Sequence, residues 1–226
     1  GLFDEYRGFV VSTFKHPDEN TDIRHTRTNA SRKDVFYAKF KKDGVNDENV
    51  VGPNEHVLRM LGYEPHFIPA VLTNKPELKD RCVNPFSPLP AQYPSIIHQK
   101  YVLFVYDALH PDYSTRLGEA RDDQGNSPAG TPISVGNAWI FTQAIRNAYG
   151  STYNACAQNV ATHEFGHSLW IADFEHNYHV LTDNGNRCVM AYATQIDYIP
   201  LPFPMYFCRY CLQQTLCTGN LSLIHI

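Results

Sequence analysis

The sequence predicts an α+β fold: a small twisted mixed sheet with an edge strand lying over one long helix, then a short irregular C-terminal subdomain. Two patterns and their order predict it. Residues 100–107, KYVLFVYD, form a nearly unbroken apolar and aromatic run of strand length. Cys156, Val160, His163, His167 and Trp170 recur at steps of four, three, four and three, so they share one face of a helix. Strand, loop, edge strand and helix follow one another along the chain.

The elements are expected in this order. Residues 5–14, rich in aromatic and β-branched side chains, read as a strand, and the polar stretch 15–33 reads as a loop. Residues 34–40 alternate Val35, Tyr37 and Lys39 against Phe36, Ala38 and Phe40, which leaves their type open. Residues 55–62 suggest a short helix ending at Gly62, and recurring prolines make 65–94 mostly irregular. After the strand at 100–107 come a loop rich in Gly and Asp at 116–130 and a second strand at 132–141. A helix at 142–149 closes at Gly150, and Ser151 or Thr152 caps the long helix that runs to about Trp170.

The chain has 226 residues, enough for one domain or one domain with an extension, and 43% of them are hydrophobic. With 19 basic and 23 acidic side chains the net charge is -4, which argues against a nucleic-acid partner. No apolar run reaches the ~18 residues of a membrane span, and these residues show no basic-then-apolar pattern of a signal peptide. Of the eleven histidines, His16, His25, His56, His66, His98 and His110 show no ligand-like clustering.

Residues 163–167 read His-Glu-Phe-Gly-His. On a helix, positions i and i+4 share a face about 6 Å apart along the axis. Two imidazoles so placed can bind one metal ion. Glu164 is too close in sequence to join them comfortably, yet well placed to take a proton from water at the metal. A bare histidine pair would more simply be a solvated helix face, and Glu164 speaks against that. A peptidase zinc takes three protein ligands and leaves one position open. His163 and His167 supply two, and the third is expected from the segment after the helix, where His176 and His179 stand. The expected activity is hydrolysis of peptide bonds with one catalytic zinc as cofactor, Glu164 as general base and a peptide or protein as the partner.

Several residues carry a resemblance to the metzincin peptidases, whose zincin-like fold matches the one expected here. Asp173 lies ten residues after His163, where metzincins place their third ligand, usually His and in some members Asp. Their pattern has Gly seven residues after the first His, and this chain has Trp170 there. Cys188-Val189-Met190-Ala191-Tyr192 is similar to the segment carrying their Met-turn, which assigns Met190 to a floor beneath the metal. Tyr192 matches a tyrosine that, in astacin- and serralysin-like members, reaches the metal and bonds the oxyanion. Cys188-x-Met190 followed by Cys208-Arg209-Tyr210-Cys211 resembles the archaemetzincins, which hold a second, structural zinc with four cysteines. Cys188, Cys208 and Cys211 match three of these, while Phe174 stands where the fourth belongs. The run from His163 to Leu169 with Ala172-Asp173 is also similar to the immunoglobulin-A peptidase family.

The six cysteines permit two accounts. The Cys-x-x-Cys spacing suggests a structural zinc held by Cys188, Cys208, Cys211 and Cys217; the even count suits three disulfides that include Cys82 and Cys156. A peptide should lie along the edge strand at 133–139, near a rim segment, Gly118-Glu119-Ala120. Endopeptidase activity is the leading expectation. An aminopeptidase of archaemetzincin type is the alternative, with Glu119 or Asp197 holding the substrate amine, and an inactive zinc-stabilised binding module is the third reading. Residues 1–95 are expected to be part of the catalytic fold or an extension, 96–220 the catalytic core, and 221–226 a non-native tail. The expected location is secreted or extracellular.

Overall fold

A computed structural model describes residues 9–12, 23–26, 33–42, 45, 50–68, 82–83, 99–100, 102–110, 116–121, 137–169, 171, 188–190, 206–208 and 211. Its centre is a five-stranded sheet built from β3 (Lys33–Lys41), β4 (Tyr63–Ile68), β7 (Val102–Asp107), β8 (Gly118–Arg121) and β9 (Asn137–Phe141), in the spatial order β4-β3-β7-β9-β8. The first four strands in that order run parallel, and β8 pairs antiparallel with β9 at the edge. Two small antiparallel pairs stand apart from it: β1 (Phe9–Ser12) with β2 (Ile23–Thr26), and β5 (Cys82–Val83) with β6 (Gln99–Lys100). Two strands of the main sheet, β3 and β4, come from the first 95 residues.

The strand expected at 100–107 is present as β7, and its unbroken apolar run has a simple cause. Val102, Phe104 and Tyr106 pack into the main core, while Leu103 and Val105 point to the opposite face with Phe36 and Ala38. A central parallel strand buried on both faces must be apolar at every position. The same logic settles residues 34–40: β3 lies between β4 and β7, so both of its alternating sets carry apolar side chains.

Several boundaries depart from expectation. The loop expected at 15–33 contains β2, and the stretch expected to be irregular from residue 65 begins within β4. Pro65 is tolerated there because β4 is an edge strand among the described residues, with a ladder on one side of its backbone only. The edge strand itself is the larger correction. Residues 137–141 bond to β7 on one side and to β8 on the other, so this segment is interior. The edge is β8, the segment expected only as a rim.

Helix α1 (Glu55–Met60) begins at Asn54, whose side chain accepts a bond from the Val57 N–H, and Gly62 supplies a positive φ of 87° just beyond its end. Helix α2 (Thr142–Tyr149) closes at Gly150, with φ 47°, as the sequence suggests. A single 3₁₀ turn then leads into α3 (Tyr153–Ser168). Thr152 precedes α3 but does not cap it; its hydroxyl donates instead to the Tyr149 carbonyl.

From Asn159 onward every residue of α3 is buried, so this helix is enclosed rather than half-exposed. Phe165 stacks on Phe104 of β7 at 5.8 Å between ring centres and meets Tyr37 of β3 edge-on at 6.4 Å. The hydroxyl of Thr162 accepts the Asn54 N–H at 2.8 Å and donates to the Gln158 carbonyl, tying the start of α1 to the turn before His163. The helix stops at Ser168, two residues earlier than expected. The Ile171 N–H folds back to the Gly166 carbonyl at 3.1 Å, so the chain leaves the axis although residue 170 is not glycine. Among the described residues, no helix is long and apolar enough to cross a membrane.

Candidate metal centre

His163 and His167 are both buried, with their rings perpendicular and their centres 4.8 Å apart. Nδ1 of His163 lies 2.8 Å from the carbonyl of Val189, and Nδ1 of His167 lies 3.0 Å from the carbonyl of Ile171. A carbonyl oxygen can only accept, so both Nδ1 atoms carry the proton and donate. In the neutral rings both Nε2 atoms then present lone pairs, and these two atoms are 3.1 Å apart. Two lone pairs facing each other at that distance repel unless a cation or a proton lies between them. Bonds of about 2.0–2.1 Å to a tetrahedral zinc would separate two such nitrogens by about 3.3–3.4 Å, close to the separation here. Backbone carbonyls that orient metal-bound imidazoles are a recurring outer-shell arrangement. The donor set therefore fits a zinc ion.

Glu164 completes the cluster. Its carboxylate and the two imidazoles each bring one ligand-type atom within 4.8 Å of the others, and all three side chains are buried. Asp173, His176, His179 and Tyr192 lie outside the described residues, as do Asp197 and Cys217.

A second cluster forms nearby from Cys188, Cys208 and Cys211. The Sγ atom of Cys211 is 3.5 Å from that of Cys188 and 3.6 Å from that of Cys208. Cys156, Cys188, Cys208 and Cys211 form no disulfide, which disagrees with a disulfide role for these four. Zinc–sulfur bonds of about 2.3 Å in a tetrahedral site place sulfurs about 3.8 Å apart, near the spacing here. Burial pushes the Cys188 thiol up to about 12 and the Cys211 thiol further still. Neutral thiols suit so dry a place, and a bound cation would hold them as thiolates. The N–H groups of Met190 and Cys208 already point at the Cys188 sulfur, at 3.4 and 3.3 Å.

One tripeptide joins the two clusters. Cys188 belongs to the thiol group, the Val189 carbonyl orients His163, and Met190 packs its sulfur against Gly166 in the last turn of α3. The Val189 N–H bonds to the Tyr206 carbonyl at 2.8 Å, which secures the tripeptide to the segment leading into Cys208. A Cβ at position 166 would collide with Met190 Sδ and stand 3.1 Å from Phe207. Glycine inside a helix costs about 1 kcal/mol relative to alanine, and here the space it leaves is filled.

Sequence reasoning did not find the Val189 and Ile171 carbonyls, because a main-chain acceptor leaves no residue-type signal. Gly166 was the available clue. Glu119, one candidate for binding a substrate amine, is placed otherwise. Strand alternation turns it away from the face on which Gly118 meets Glu164, and it is engaged by Arg116, Arg121 and His110.

No protein-family model and no curated protein matches the sequence. Among solved structures, the chain is similar to the archaemetzincin of Methanopyrus kandleri, with 14% identity and a TM-score of 0.40 over 85% of this chain and 97% of that one.

Proposed function

We propose that the protein is a zinc-dependent peptidase. The observation that carries this reading is the pair of histidine Nε2 atoms 3.1 Å apart, each ring locked by a backbone carbonyl, with a buried glutamate beside them. Two of the protein ligands would be His163 and His167, with Asp173 or His179 as the third. When bound, zinc supplies Lewis acidity that acidifies water and draws charge from a carbonyl oxygen.

Glu164 would take the proton of the attacking water on its carboxylate and deliver it to the departing amine nitrogen. Burial among Val160, Gly118 and the two imidazoles keeps bulk water from that carboxylate. The edge strand β8 supports an extended peptide as substrate, since among the described residues one side of its backbone has no partner within the sheet. Tyr192 would donate to the developing oxyanion. Met190 is read as the methionine floor of a metzincin Met-turn, supported by its packing against Gly166. Cys188, Cys208 and Cys211 would hold a structural zinc, as in archaemetzincins. Endopeptidase activity is favoured over aminopeptidase activity because Glu119 is turned away and paired.

Purified protein should cleave casein or a quenched peptide, lose that activity on treatment with a chelator and recover it with added zinc. Cleavage that a chelator leaves intact would contradict the reading.

A further inference from the structure

We propose that the thiol cluster and the histidine pair bind metal as one linked unit, with Cys188-Val189-Met190 as the link. This rests on both clusters holding zinc, and it needs no catalysis. One side of the tripeptide serves the thiols: Cys188 Sγ receives the N–H groups of Met190 and Cys208 at 3.4 and 3.3 Å and lies 3.5 Å from Cys211 Sγ. The other side serves α3. The Val189 carbonyl meets Nδ1 of His163 at 2.8 Å, and Met190 Sδ fills the space beside Gly166. Residues 206–208 run alongside: Cys188 pairs with Tyr206, the Val189 N–H bonds to the Tyr206 carbonyl at 2.8 Å, and Phe207 also lies against Gly166. Cys188, Val189, Met190, Phe207, Cys208 and Cys211 are all buried. In so close-packed a place the tripeptide has little room to shift at one cluster without shifting at the other.

Holding a metal at the thiols ties Cys188 to Cys208 and Cys211, 20 and 23 residues further along the chain. The binding free energy of such a site is spent on ordering the segments that carry its ligands. Here one of those segments presents the carbonyl that keeps the His163 proton on Nδ1. A ring released from that acceptor is open to the other tautomer, whose Nε2 proton occupies the lone pair a metal needs. Losing an outer partner of this kind typically costs about 10–100-fold in metal affinity. Linkage between two binding sites is reciprocal, so metal at the histidines strengthens the thiol site by the same factor.

Competition between the protein and a chelator measures zinc affinity, and the cobalt(II) spectrum shows which site is filled, because thiolate ligands add a charge-transfer band that imidazoles do not. Cys208→Ser reports on the histidines, and the His163→Ala, His167→Ala double variant reports on the thiols; neither replaces a residue of the tripeptide. Cys156→Ala, at a buried thiol of α3 outside both clusters, controls for lost stability alone. In folded Cys208→Ser the histidine-site affinity should fall about tenfold or more, and in the histidine variant the thiol-site affinity should fall by the same factor to within about threefold. Both affinities should stay within about twofold of parental in Cys156→Ala. If Cys208→Ser fails to fold, the thiol-site affinity of the histidine variant decides alone, since the linkage is reciprocal. Parental affinity at the remaining site of a folded variant, or an equal loss in Cys156→Ala, would overturn the linkage and leave both metal sites standing. A parent protein that fills only one of the two sites would overturn the two-metal reading as well.

Discussion

Replacing Glu164 by glutamine is expected to lower kcat by about three orders of magnitude while KM and zinc content stay near their parental values. Glutamine keeps the length and volume of the side chain, so the packing against Gly118 and Val160 survives. What it loses is the ability to accept a proton. A general-base role would be exercised only as water attacks, and an interaction made only in the transition state lowers kcat and kcat/KM together. The metal should remain, because both imidazoles are oriented by the Val189 and Ile171 carbonyls and not by Glu164. Glu164→Ala should give the same catalytic loss. Full activity in either variant would remove Glu164 from the mechanism.

The second large effect is expected at the thiol cluster. Structural zinc contributes about 10–16 kcal/mol in small zinc-binding peptides, comparable with the total stability of an ordinary domain at about 5–15 kcal/mol. Cys211→Ser removes a fully buried sulfur that lies within 3.6 Å of both other thiols. Tm should fall by about 10 °C or more, and one zinc equivalent should be lost. Because Cys188, Val189 and Met190 are consecutive, the damage should spread to the carbonyl that orients His163 and to the methionine under Gly166. Activity should fall with stability. Reductant without chelator should leave Tm unchanged; a large drop under reductant alone would instead point to disulfides.

Local spacing carried much of this site, and pairing between distant segments carried the rest. The histidine pair and Glu164 were readable because a four-residue step maps directly onto one helix face. Strand β7 was readable because burial on both faces leaves an unbroken apolar run. The same burial hid β3, whose two alternating sets both carry apolar residues and so show no amphipathic period. Pro65 disguised β4, since nothing in the sequence says which strand lies at an edge. The edge strand was misplaced for the same reason. Residues 137–141 are strongly apolar, while β8 is four residues long and carries Glu119 and Arg121. Its edge position follows from pairing, which composition does not encode. The cysteines were conspicuous in sequence, but only the fold brings residue 188 beside 208 and 211.

The most direct measurement is zinc per chain by elemental analysis in the parent protein and in the His163→Ala, His167→Ala double variant, with folding of each checked by thermal unfolding. The two imidazoles, held with their lone pairs facing, should account for one ion. The double variant should therefore carry about one zinc fewer than the parent while staying folded. A folded double variant with the parental zinc content would contradict a metal centre built on His163 and His167.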